Sequence, residues 1–210
     1  MQRLQESKEQ DKNEEENPTV IFMNGADAAA TPQMRTIGLY GSIDEEKCGE
    51  VVYLMYTMYN SAKVLEEDGT TSIDPFELVI SPWGGDAAEM FSVYDVMRMI
   101  KREVPIKTFG IGKVMSAGVL LLAGGTKGER KIGKHCRVMI HSVSSGHAGE
   151  LYNLKNELEE LQVTQEKYIE ALAQETDMTK AYIKKLMNKK LNVYLTAQEA
   201  VDLGIADIIV

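Results

Sequence analysis

One serine stands among glycines in the stretch Gly112-Lys113-Val114-Met115-Ser116-Ala117-Gly118. An apolar strand pattern (106–111) precedes it and the apolar run Val119-Leu120-Leu121-Leu122-Ala123 follows. A hydroxyl at such a strand-to-helix junction lies beside N–H groups that have no intrahelical partner. It can therefore act as a nucleophile next to a preformed anion site. His141 follows a second apolar run, Arg137-Val138-Met139-Ile140. A histidine titrates near pH ~6.5 in model peptides, so it can accept a proton at neutral pH. Gly84 and Gly85 follow a third, Phe76-Glu77-Leu78-Val79-Ile80. Without a side chain, Gly85 lets its N–H approach a substrate closely, and the Ala117 N–H is the natural second donor. Acyl transfer needs a nucleophile, a base, a group that orients the base, and oxyanion donors. Ser116, His141, Gly85 and Ala117 supply all but the third. Each also has a plain reading: a packing serine, a strand-end histidine, a tight turn. Spacing alone leaves both readings open.

The elements that must position these residues follow from periodicity. The pattern predicts strands at 18–23, 37–40, 76–80, 106–111, 137–140 and 205–210, with Pro82-Trp83-Gly84-Gly85-Asp86 breaking the third. Asp44 can cap a helix carrying Val51, Val52, Leu54, Met55, Met58 and Tyr59 on a broad apolar face. Residues 66–71 read as a polar surface loop. Met90, Val93, Tyr94, Met97 and Ile100 recur at helical spacing in 87–101. A long charged helix is expected over 150–175, its apolar positions Leu151, Leu154, Leu158, Leu161, Ile169 and Leu172 too sparse for burial on all sides. Such a helix lies across a partner surface. A further helix covers 179–189. Thr196-Ala197-Gln198-Glu199 is a capping box that opens the last helix, and Gly204 ends it. Strands alternating with helices from 37 to 111 predict right-handed crossovers and a mostly parallel sheet, an α/β fold. Functional residues in such sheets gather at the carboxyl ends of strands, where Gly84-Gly85, Ser116 and His141 all stand.

At 210 residues the chain suits one domain with an arm, residues 1–17 being too polar to bury anything. A net charge of −9 argues against a nucleic-acid binder, which needs a basic surface. No apolar run approaches the ~20 residues of a membrane span, and the amino terminus lacks a secretory pattern. Cys48 and Cys136 are far apart in sequence, with no CxxC and no cluster of cysteines and histidines at metal-ligand spacing, so neither a zinc site nor another metal site is expected. A reducing, cytoplasmic setting follows from these features.

From Arg35 onward the chain resembles the ClpP family, the proteolytic subunits of the ATP-dependent Clp protease. The resemblance rests on Pro82-Trp83-Gly84-Gly85 with Tyr94-Asp95, on the Ser116 block, and on Leu121-Leu122-Ala123-Gly124-Gly125-Thr126-Lys127-Gly128-Glu129-Arg130. It continues through Arg137-Val138-Met139-Ile140-His141, Leu195-Thr196-Ala197-Gln198-Glu199-Ala200 and Gly204, in matching order and spacing. It implies a ClpP/crotonase-like fold of repeated β/α units over 18–210, with a protruding handle at about 142–178. It also implies a serine endopeptidase that needs no cofactor and cleaves unfolded polypeptide inside a homo-oligomer. That oligomer would be a heptameric ring, alone or as two stacked rings, fed by an AAA+ Clp unfoldase. Ser116 then corresponds to the nucleophile, His141 to the base, and Gly85 and Ala117 to the oxyanion donors. Gly84, Ser144, Ser145 and Gly146 correspond to substrate-binding positions, the last three in a segment that pairs with extended substrate.

The sequence departs from that family at the third catalytic position, where Asn192 replaces the usual aspartate. An asparagine carbonyl can accept the histidine Nδ1–H but offers no charge to an imidazolium; in a chymotrypsin-type triad this change costs about 10⁴ in rate. A slow triad of Ser116, His141 and Asn192 is expected. Lys190-Leu191 replaces an acidic–Arg pair that bridges rings, and Trp83 stands where proline is usual, beside the oxyanion donors. Two alternatives are a catalytically weak ring subunit acting as scaffold, and a crotonase-fold acyl-CoA enzyme. The latter needs no Ser–His pair. A Ser–Lys peptidase on the same fold is made unnecessary by His141.

Overall fold

The computed structural model describes residues 34–146, 148–188 and 192–210. The expected arm at 1–17, the strand at 18–23 and the Lys190-Leu191 position lie outside the described residues. The chain begins with strand β1 (Thr36–Ile43) and helix α1 (Glu45–Asn60), whose cap is the expected Asp44, accepting from the Lys47 N–H at 3.0 Å. Burial of Cys48, Val51 and Met55 fixes the inner face of α1. Two short antiparallel strands, β2 (Lys63–Leu65) and β3 (Thr71–Ile73), flank the expected polar loop.

Strand β4 (Phe76–Gly85) is longer than the sequence suggests. It runs through Pro82 and both glycines, pairing with β1 in parallel as far as Ile43↔Gly85, with a register shift between Gly41 and Ser42. Proline and glycine weaken a strand interior, but here the irregular register absorbs them. Asp86 then caps α2 (Ala87–Ile100), accepting from the Ala88 and Glu89 N–H groups. Strand β5 (Ile106–Gly110) pairs with β4. At Gly112, with φ +60°, the chain leaves this sheet for β6 (Lys113–Met115), which delivers Ser116 to α3 (Ala117–Ala123).

Strands β7 (Arg130–Ile132) and β8 (Arg137–Ile140) follow, then α4 (Leu151–Glu175), α5 (Lys180–Met187), β9 (Val193–Leu195), α6 (Ala197–Asp202) and β10 (Ile208–Ile209). The capping box forms: Thr196 Oγ1 accepts from the Glu199 N–H, and the Glu199 carboxylate accepts from the Thr196 N–H. The fold is α/β, with an all-parallel sheet ordered β1-β4-β5-β7-β10 and a second sheet ordered β6-β8-β9. In the second sheet β6 and β8 run parallel, and β9 joins β8 antiparallel.

Helix α3 is buried at every residue, as its unbroken apolar sequence requires. Helix α4 is two-natured. Tyr168, Ile169, Ala171, Leu172 and Glu175 in its last turns are buried, whereas Leu151, Tyr152, Leu158 and Val163 are exposed. Burying each large side chain of the docked end contributes about 1.5–3 kcal/mol. Glu175 satisfies its buried charge with Lys101 Nζ, 2.8 Å from Oε1, and with the Tyr94 hydroxyl, which donates at 2.9 Å. Arg130, 3% exposed, ties β7 to the end of α4 and to the residue before β10: it pairs with Asp207 and donates to the Glu175 carbonyl at 2.7 Å. Among the described residues no buried side-chain polar atom lacks a partner, as a well-formed interior demands.

Candidate active site

Parallel pairing of β6 with β8 explains why Ser116 and His141 meet. With Met115 opposite Met139, both strands end at the same edge, and the residue following each projects there. Ser116 Oγ lies 2.7 Å from His141 Nε2. With the ring proton on Nδ1, the hydroxyl donates to Nε2, the arrangement a general base requires.

Ser116 has φ +55° and ψ −120°, the sole positive φ at a non-glycine residue among the described residues. Such a backbone costs about 1–3 kcal/mol and persists only where neighbours over-determine it. The neighbours are identifiable. The Ser116 N–H donates to the Met139 carbonyl at 2.8 Å, and its own carbonyl accepts from the Val119 N–H at 3.0 Å and the Tyr168 hydroxyl at 3.1 Å. The side chain makes no capping bond to α3, leaving Oγ to the imidazole.

Gly84 and Gly85 adopt φ +97° and +152° beneath this serine. A Cβ at Gly84 would lie 2.6 Å from Ser116 Cβ, and one at Gly85 would lie 2.1 Å from the Ile43 carbonyl oxygen. Only glycine fits either position. The Asp86 N–H donates to the Ile43 carbonyl, so in a parallel ladder the Gly85 N–H turns to the other side, away from β1. As the first residue of α3, Ala117 has no intrahelical partner for its N–H.

Ser116, Ala117, His141 and Gly85 open on one cavity of about 340 Å³. It is also lined by the apolar Met90, Leu161 and Tyr168, by the irregular segment 142–145, and by the acidic Asp86, Glu157 and Glu160. A serine–imidazole pair on a strained turn, with two backbone N–H groups beside a concave site, can carry out acyl transfer to and from a carbonyl. The Clp protease family model matches residues 27–210. The chain belongs to the Clp protease family. It is 33% identical over 141 residues, covering 67% of each chain, to the ATP-dependent Clp protease proteolytic subunit 2 of Corynebacterium glutamicum. Membership makes it a Clp-type proteolytic subunit and assigns it to the serine peptidases, in agreement with its mixed α/β architecture.

Other positions anticipated from the Clp protease resemblance fall in different places. Ser144 and Ser145 line the cavity, Gly84 packs behind Ser116, and Gly146 is exposed and outside the lining. Asn192 immediately precedes β9, and continuing the Ile140↔Val193 register sets it opposite His141. Its side chain is exposed, and no hydrogen bond joins it to the imidazole among the described residues. Trp83 does not reach the oxyanion donors: it is 65% exposed, outside the cavity, with Lys113 Nζ 4.3 Å from its ring centroid. No group of three or more His, Cys, Asp or Glu side chains that could hold a metal ion occurs among the described residues. Tyr168 escapes a sequence reading because its contact spans 52 positions and a tyrosine in an apolar stripe reads as core.

Proposed function

We propose that this chain is a working serine endopeptidase that cleaves unfolded polypeptide through an acyl-enzyme. The single observation that carries the reading is the 2.7 Å approach of Ser116 Oγ to His141 Nε2 on the strained turn at φ +55°. His141 takes the hydroxyl proton as Oγ attacks the scissile carbonyl, and the Gly85 and Ala117 N–H groups hold the oxyanion. The imidazolium then protonates the leaving amine, and water, deprotonated by His141, releases the acyl group. Segment 144–146, exposed and without regular structure, is suited to lie beside extended substrate as an added strand.

The active form in this reading is a heptameric ring, alone or stacked in pairs, supplied by an AAA+ unfoldase in the cytoplasm. Residues 142–178 form the handle, and the exposed Leu151, Tyr152, Leu158 and Val163 on α4 supply an apolar face for contact between rings. Two unpaired, buried cysteines suit a reducing compartment.

A second reading, a catalytically weak ring subunit, is favoured by Asn192, whose exposed side chain leaves His141 without a carboxylate partner. Native mass measurement together with digestion of a permanently unfolded polypeptide separates the two. The endopeptidase reading expects a ring that hydrolyses the polypeptide and loses this activity in Ser116→Ala. A ring whose hydrolysis is unchanged by Ser116→Ala, or absent altogether, contradicts it.

A further inference from the structure

We infer that Tyr168 is a positioning residue that aims the Ala117 N–H at the oxyanion by anchoring the far end of the same peptide unit. This inference rests on the peptidase reading above. The Tyr168 hydroxyl donates to the Ser116 carbonyl oxygen at 3.1 Å. That carbonyl and the Ala117 N–H belong to one planar trans peptide, so they point in opposite directions and rotate together. Whatever fixes the oxygen therefore sets the direction of the N–H. The Val119 N–H, 3.0 Å away, also fixes it, but Val119 lies in the same short helix and turns with it. Tyr168 comes from α4 and ties the plane to a different element.

The anchor is rigid. Tyr168 is 6% exposed and flanked by the buried Ile169, Ala171 and Leu172 on the docked end of α4. Burial raises the pKa of its phenol well above the ordinary tyrosine value, so the hydroxyl keeps the proton it donates. The need for an anchor is equally plain, because Ser116 occupies a backbone conformation that relaxes unless held. Met139 holds the N–H side, His141 holds Oγ, and Tyr168 holds the carbonyl side from outside α3.

Tyr168→Phe removes the hydroxyl and keeps the ring that packs in the core. Steady-state peptide hydrolysis, affinity for a peptide boronate, which forms a tetrahedral anion on the serine, and thermal melting are measured on both chains in parallel. A neutral hydrogen bond that matters only in the transition state predicts kcat lower by about fivefold with KM unchanged. Boronate affinity falls by a similar factor, while Tm drops by no more than about 4 °C. Equal kcat and boronate affinity in the two chains overturns the inference and leaves the peptidase reading standing. A parallel change in KM and kcat with a large loss of Tm also overturns it, since that describes loosened packing. Wild-type protein that neither hydrolyses peptide nor binds boronate counts against the peptidase reading, and the inference falls with it.

Discussion

Replacing Gly84 with alanine presses directly on the nucleophile. The new Cβ would stand 2.6 Å from Ser116 Cβ, 3.1 Å from Oγ and 3.2 Å from the Met115 carbonyl oxygen. Ordinary contact begins at 3.4 Å, so the serine must retreat by about 0.8 Å (3.4 − 2.6) or β4 must bow away and take Gly85 with it. Either response opens the gap between nucleophile and oxyanion donors. A misplacement of about 1 Å at a reacting centre costs on the order of 10²-fold in rate. The backbone at φ +97° adds strain of about 1–3 kcal/mol, and overpacking a similar amount. A total of about 4 kcal/mol corresponds to a Tm lower by about 8–16 °C for a chain of this size. Peptide hydrolysis, serine labelling rate and calorimetry read the three consequences separately. A Gly84→Ala protein that melts lower but labels and turns over as wild type would show that Ser116 is not held against β4, and the reasoning would be wrong.

Other perturbations give equally definite expectations. Arg130→Met leaves Asp207 and the Glu175 carbonyl without their buried partner and should cost about 3 kcal/mol, read as a Tm lower by about 6–12 °C. Burial opposes ionisation of Asp207, but hydrogen bonds from Arg130 and its charge outweigh this and hold the carboxyl below its ordinary value of 3.8. Its stabilisation is therefore present above about pH 4 and lost as pH falls below it, so the gap between wild type and Arg130→Met should narrow on acidification. Cys48 and Cys136 are both pushed up to about 11, chiefly by burial. A thiol reagent at pH 8 should react slowly with the native chain and rapidly with both cysteines in guanidinium. Asn192→Asp should raise kcat by roughly tenfold or more, since a carboxylate stabilises the imidazolium. Asn192→Ala turning over peptide at the wild-type rate would remove Asn192 from the triad.

The local signals in the sequence translated well where one residue decides the outcome. Asp44 and Thr196 cap helices as expected, because a side-chain oxygen beside free N–H groups has one obvious use; Asp86, read only as part of a strand-breaking stretch, caps α2 in the same way. Ser116 and His141 were legible as chemistry-bearing residues at strand ends, but the strand that carries Ser116 was not. The expected strand at 106–111 is β5, in the other sheet, and it is the short β6 (Lys113–Met115) that pairs in parallel with β8 and brings the two together. Less legible were elements whose residues contradict their setting. Arg130-Lys131-Ile132 looks like loop, yet it is strand β7, with Arg130 buried by partners 45 and 77 positions away. Pro82-Trp83-Gly84-Gly85 looks like a strand breaker, yet β4 passes through it with one register shift, Trp83 standing unpaired between Gly41↔Pro82 and Ser42↔Gly84. The expected strand at 205–210 shrinks to Ile208–Ile209, since the Gly204 turn and the Asp207 contacts with Arg130 occupy the rest. The Tyr168 contact and the part of the cavity lining that α4 supplies depend on how a long helix docks, and no local pattern encodes that.

The central claim is that Ser116 is a nucleophile activated by His141. Treating the assembled protein with a fluorophosphonate and mapping the adduct by mass spectrometry tests it most directly. The account predicts a single adduct on Ser116 that is lost in His141→Ala, with the oligomer intact. An unlabelled Ser116 in the intact oligomer, or labelling that survives His141→Ala at the wild-type rate, would contradict it.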